Sequence, residues 1–197
     1  MTSKLAFVGR FLAAFALLIA VGWATNGPAR YAALLQEAAT ISSPVLTGWW
    51  LETRPGRQGP ELWFRHTEGE LRLLLSLESL ALGLLPLLAL LSATPGLGLR
   101  RFGANVTIGC AAFFALDLLV VLLYPILVSN PNTGTDVTGT FLSAVTDITG
   151  FFLGLLTFVG GPVIIWFVLT FDQLRSIWRL DPAEMVKGRG QKSKVKG

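Results

Sequence analysis

Residues Leu5 to Ala24 read LAFVGRFLAAFALLIAVGWA, a run broken by one charge, Arg10. A helix that crosses a bilayer needs about 20 mostly apolar residues, because the hydrocarbon is about 30 Å thick and each residue rises 1.5 Å. This stretch meets that length. Three more resemble it. Leu71 to Ala93 (LRLLLSLESLALGLLPLLALLSA) has Arg72 at its rim and Glu78 inside; Asn105 to Val128 has Asp117 as its only charge; Ile148 to Phe171 has none. The whole chain agrees with its parts. Of 197 residues, 52% are hydrophobic and 14% charged, and the mean hydropathy is +0.61. Soluble domains carry roughly a quarter charged residues, and disorder requires the opposite composition.

The expected fold is therefore an all-α membrane protein with four transmembrane helices over residues 5–24, 71–93, 105–128 and 148–171. Between the first two lies an outer insert, residues 25–70. Residues 1–180 form the helical membrane domain and residues 181–197 a basic tail. The first stretch has a rival reading as a signal peptide, with Lys4 and Arg10 as its basic start and Gly22-Trp23-Ala24 as a cleavage site. We expect the uncleaved anchor.

Orientation follows from the short basic flanks, which stay on the cytoplasmic side. Lys4 and Arg10, then Arg100 and Arg101, then Arg175, Arg179, Lys187, Arg189, Lys192, Lys194 and Lys196 form three clusters, and Ser129 to Asp147 contains no Lys or Arg. All three clusters share a side only with an even number of spans. The expectation is a multi-pass membrane protein with both termini cytoplasmic. The tail would then lie on anionic lipid, where each basic residue contributes about 1 kcal/mol. It lacks the aromatic interleaving of a nucleic-acid binder.

The insert opens with Asn26-Gly27-Pro28, a helix-start signal. Tyr31, Leu34, Leu35 and Ala38 follow at helical spacing, as in a short amphipathic helix on the membrane surface, which Ser42-Ser43-Pro44 would end. Thr47 to Thr53 and Glu61 to Thr67 then flank a turn rich in Pro and Gly, a hairpin signal. A lone hairpin is marginal in water, so it would rest on the bilayer or on a partner. Trp49, Trp50, Trp63 and Phe64 would sit at headgroup level, an interfacial belt in preference to a ligand-binding cage.

Candidate chemistry is sparse. An ionisable side chain within a membrane is a functional candidate, because insertion costs roughly 2.5–3.5 kcal/mol. Counted from the outer surface, Glu78 would lie about 10 Å deep and Asp117 about 16 Å deep, facing each other on neighbouring helices. They would form a proton-sharing pair or ion site, or else make helix-packing hydrogen bonds to Ser76, Ser79, Thr107 or a partner; we expect the second. Gly150 and Gly154 form a Gly-x-x-x-Gly that lets helices approach closely, between subunits or within one. Cys110, the only cysteine, is expected on the opposite side of the membrane from His66, the only histidine, so a Cys/His catalytic pair is not expected. His66 is a weak candidate ligand for a haem or chlorophyll metal; no cofactor is expected, though a bound lipid or pigment would be compatible. Phosphate-binding loops, His-Glu-x-x-His, Gly-x-Ser-x-Gly and CxxC are all missing from the sequence.

One N-terminal span, an outer segment with an aromatic hairpin, and a Leu-rich span ending in LPLLALLSATPG (Leu85 to Gly96), with two spans after it, resemble the exosortase-associated membrane proteins of bacteria. The resemblance covers about Leu51 to Arg101. It implies an accessory role in sorting or anchoring exported proteins, without transpeptidase activity. The expected function is a non-catalytic subunit packed against a larger membrane complex, either exosortase-linked or peripheral to a photosynthetic or respiratory complex. A small proton-coupled transporter using Glu78 and Asp117 is the alternative.

Overall fold

The structure, a computed structural model, describes residues 2–56, 59–67, 69–73, 76–128 and 155–178. The expected tail at 181–197, the Gly150/Gly154 pair and the turn at Ser129–Asp136 lie outside the described residues. The fold is mostly helical, with one small sheet. In chain order the elements are α1 (Thr2–Ala24), α2 (Gly27–Thr47), β1 (Trp50–Gly56), β2 (Gly59–His66), β3 (Gly69–Arg72), α3 (Leu77–Ala81), α4 (Leu84–Ala93) and α5 (Leu99–Val128). A turn of π-helix (Leu156–Gly160) then leads into α6 (Gly161–Trp178). Among the described residues two helices, over Leu5–Ala24 and Leu99–Ile126, are long and apolar enough to cross a membrane.

Three expectations are corrected. First, the amphipathic helix does not stop at Ser42-Ser43-Pro44; α2 runs through to Thr47 and ends at Gly48, whose φ of 74° needs no Cβ. Pro44 leaves one carbonyl, that of Thr40, without its helical donor. The helix continues because Ala32, Leu35, Ala39 and Ser43 recur at its 3.6-residue period and are buried together. The start is as read, with Asn26 in the left-handed region at φ 55° and Pro28 in the first turn.

Second, the insert holds three strands rather than two. β2 pairs antiparallel with β1 (Leu51 opposite Phe64, Glu52 opposite Trp63) and with β3 (Phe64 opposite Leu71, Arg65 opposite Glu70). Alternation sorts the side chains. Leu51, Leu62, Phe64 and Leu71 face the protein, whereas Glu52, Arg54, Trp63, Arg65, Glu70 and Arg72 share the other face.

Third, the expected span 71–93 is not one helix. Leu71 and Arg72 belong to β3, and helix begins only at Leu77. It breaks at Leu82-Gly83, because Pro86 has no N–H to give the Leu82 carbonyl, which instead accepts from Leu85 N at 3.2 Å. The apolar helical stretch Leu77–Ala93 and its counterpart Phe158–Leu174 are shorter than the other two. α5, conversely, starts at Leu99, so Arg100 and Arg101 lie in its first turn.

The core has two centres strung along α5. One joins Leu35 and Ala39 of α2, Leu51 and Phe64 of the sheet, Leu77 and Leu80 of α3, and Val121 and Tyr124 of α5. The other joins Leu87 and Leu91 of α4 to Phe113 of α5, with Val106, Ile165 and Leu169 against them. α1 packs mainly on α4, and α6 on α4 and α5. Tyr31 touches both centres.

Candidate functional site

The candidate site is the polar pair at the junction of the two centres. Asp117 is buried completely, two turns along α5 from Cys110. Tyr31, in the first turns of α2, donates its phenolic O–H to Asp117 Oδ2 at 2.6 Å. Its ring meets Phe114 edge-on, with centroids 5.7 Å apart, which fixes the direction of the hydroxyl. Cys110 is itself half-buried. Asp117 Oδ1 has no hydrogen-bond partner among the described residues. One carboxylate oxygen is thus held by a neutral donor and the other is sequestered, an arrangement that ties α2 to α5.

Glu78 does not join this site. It is exposed on α3, while the neighbouring Leu77 and Leu80 turn into the core; on a helix those positions lie on the face opposite Glu78. The Glu78–Asp117 pair, the alternative to helix-packing hydrogen bonds, is therefore not formed; Asp117 makes a packing hydrogen bond, but to Tyr31 and not to Ser76, Ser79 or Thr107. Thr107 donates instead to Gly103 O at 3.1 Å. Tyr31 was missed because its segment reads as outer insert, away from any span. Of the spaced set Tyr31, Leu34, Leu35 and Ala38, Leu34 is exposed; the buried stripe is Ala32, Leu35, Ala39 and Ser43.

The four aromatics part company. Phe64 is no headgroup anchor: it is fully buried and stacks on Tyr124 at 6.4 Å, because its parity on β2 points it at α5. Trp49 packs against the same core and lies 4.9 Å from the His66 ring. Trp63 lies beneath the Arg54 guanidinium, 5.1 Å from its centroid. Trp50 alone is largely exposed, at 62%.

His66 sits beside Trp49, with Nδ1 3.4 Å from Thr67 Oγ1. Among the described residues no three His, Cys, Asp or Glu side chains group to hold a metal ion. The outer face of the sheet is an ion-pair lattice. Arg54 bonds both oxygens of Glu70 at 2.7 and 2.6 Å and reaches Glu52 at 3.3 Å; Arg65 lies 3.5 Å from Glu52, and Arg72 2.9 Å from Glu61. The Arg54 guanidinium holds the Glu70 carboxyl below the usual carboxylate range through those hydrogen bonds. The charges cancel locally, so this face has no strong sign.

Comparison of the chain with protein families, with curated proteins and with solved structures gives no match.

Proposed function

We propose that the chain is a multi-pass inner-membrane accessory subunit, non-enzymatic, that packs against a larger membrane complex, with exosortase-linked protein sorting as the specific setting. The observation that carries this reading is the surface of α1. None of its apolar stretch is buried in the fold, and Leu5, Val8, Leu12, Leu17, Val21 and Trp23 are all exposed. Each such side chain is worth roughly 1.5–3 kcal/mol when removed from water. Six of them amount to on the order of 10 kcal/mol, as much as the whole stability of an ordinary domain. Lipid or a partner must cover them.

The polar groups on the same half of the molecule support the membrane setting. Ser92 and Thr94 donate to the carbonyls one turn back, at 2.7 and 2.8 Å, as does Thr170 to Trp166 O at 2.8 Å. The Trp166 indole donates to Thr94 Oγ1 at 2.8 Å. Hydrocarbon requires such internal satisfaction. The four-span reading treats Leu77–Ala93, about 25 Å long, as a span shorter than the hydrocarbon, a mismatch that local thinning accommodates. With the basic flanks inward, both termini are cytoplasmic and the tail at 181–197 meets anionic lipid.

A carrier built on Glu78 and Asp117 has less support, since one acid faces outward and the other is sealed by Tyr31. An enzyme built on Cys110 has less support: among the described residues no hydrogen bond joins a base to the thiol.

Native gels of the tagged chain in mild detergent test the proposal. A species well above 21.2 kDa that contains other membrane proteins is expected. A chain that migrates alone and has a measurable turnover would overturn it.

A further inference from the structure

We infer that lipid covers only the α1–α4–α6 half of the molecule, with its outer boundary at the α1–α2 turn. The end of α5 beyond Asp117 then forms, with α2, α3 and the sheet, a cap outside the hydrocarbon; its ion-paired sheet faces water, and the exposed α2 side chains Leu34, Ile41, Val45 and Leu46 are covered by the partner complex proposed above. This rests on the membrane reading above but moves the boundary that hydropathy alone would draw.

Contacts establish the heights. Gly22, near the end of α1, faces Leu85 at the start of α4, 3.9 Å from where its Cβ would lie. At the other end of α1, the Phe7 ring lies 6.2 Å from Trp166, whose indole bonds Thr94 at the end of α4. α1 and α4 are therefore antiparallel, with the end of α1 beside the start of α4. Tyr31, just past the α1–α2 turn, packs with Leu84 on the Leu87–Leu91–Phe113 cluster and bonds Asp117. The end of α1, the start of α4 and Asp117 on α5 are thus at one height.

The lengths agree. Leu5–Ala24 spans about 30 Å at 1.5 Å per residue, one hydrocarbon thickness. The apolar stretch Leu99–Ile126 spans about 42 Å, roughly 12 Å too long. The surplus corresponds to Leu118–Ile126, about 13 Å. One side of that surplus is sheathed by protein: Val120, Val121, Leu122 and Tyr124 are buried whereas Leu119 and Ile126 are exposed, and Tyr124 reaches Arg72 O at 3.4 Å. The sheet that covers it turns Glu52, Arg54, Arg65 and Glu70 outward in ion pairs, a face for water rather than acyl chains. Trp23, 79% exposed, lies at the boundary, where an amphipathic ring is favoured.

The test uses the full chain with Cys110→Ser, carrying one further cysteine at either of two exposed α5 positions: Ile108→Cys in the lipid half or Ile126→Cys in the cap. Each is spin-labelled and reconstituted in phosphatidylethanolamine–phosphatidylglycerol vesicles, with a water-soluble nickel chelate present on both sides. Relaxation by the chelate and by oxygen is compared. The expected result is chelate dominance at Ile126→Cys and oxygen dominance at Ile108→Cys. Oxygen dominance at both overturns the cap and leaves the membrane reading standing; chelate dominance at Ile108→Cys, whatever the other position gives, overturns both.

Discussion

Tyr31 and Asp117, separated by 86 positions in the chain, share a 2.6 Å hydrogen bond in which the phenol donates and the carboxylate accepts. Among the described residues the other oxygen of Asp117 is buried without a partner, so Tyr31 supplies the hydrogen bond they give this carboxyl. The pair joins the first turns of α2 to the middle of α5. It thereby fixes where the cap meets the remaining helices.

Removing the donor strands the acceptor. Tyr31→Phe should destabilise the fold by about 1–3 kcal/mol, the cost of leaving a buried polar group unpaired. Asp117→Leu removes the group that needs a partner, so adding it to Tyr31→Phe should cost less than the two single changes summed. Thermal unfolding of the four proteins in detergent measures the coupling. Strict additivity would mean that the hydrogen bond holds nothing together.

The sheet should be acid-sensitive through Glu70. Its carboxyl titrates below the usual range because Arg54 bonds the charged form. A carboxyl whose value is lowered on folding contributes stability that is fully present above its unfolded value, about 4.3, and is lost as pH falls through the folded one. Both side chains are open to solvent, so the effect is small and is screened by salt. The protection of the β2–β3 amides against hydrogen exchange, relative to their intrinsic rates at each pH, should fall below about pH 4.3. Glu70→Gln should exchange faster at pH 7 and show a weaker acid dependence. An unchanged pH profile in Glu70→Gln would remove this pair from the account.

Gly109 tests how closely α5 approaches its neighbours. A Cβ there would lie 3.3 Å from Leu169 Cδ1 and 3.5 Å from Leu91 Cδ1, both ends of flexible side chains. Gly109→Ala should fold with little loss, because those methyl groups need to yield only slightly. Gly109→Leu should wedge α5 away from α4 and α6 and cost about 1–3 kcal/mol. Melting temperatures of the two variants in detergent give the comparison. Equal stability would place slack where the contacts indicate none.

The parts of this fold that were legible in the sequence are those whose signals are local. The Leu5–Ala24 helix is read from length and apolarity, the start of α2 from Asn26-Gly27-Pro28, and the β1–β2 turn from Pro55, Gly56, Gly59 and Pro60. What was not legible depends on distant partners. β3 is only four residues, Gly69 to Arg72, and without β2 beside it nothing in GELR calls for a strand. α2 passes Pro44 because Ala39 and Ser43 are buried, which is tertiary packing overriding a local stop. The close-packed Gly109 has no glycine four residues away, so the Gly-x-x-x-Gly template selects Gly150 and Gly154 and passes over it. Phe64 and Trp63 are equally aromatic neighbours. Only the register of β2 decides which of them enters the core.

That last distinction yields the largest expected effect. Phe64 is wholly buried, stacks on Tyr124 at 6.4 Å and packs among residues from α2, α3 and α5. Phe64→Ala removes a buried ring and leaves a cavity that the strands cannot close without losing register, a change that costs about 3–5 kcal/mol. Trp50, on the same sheet but 62% exposed, has no such cavity to leave, so Trp50→Ala should stay within about 0.5 kcal/mol. Because Phe64 holds the sheet onto the end of α5, its loss should also expose β2 to proteolysis while α1 and α4 remain protected. Limited proteolysis of the two variants in detergent, read by mass spectrometry of the fragments, separates the cases. If Trp50→Ala releases the sheet and Phe64→Ala does not, the outward face of the sheet, rather than its inward one, is what anchors the cap.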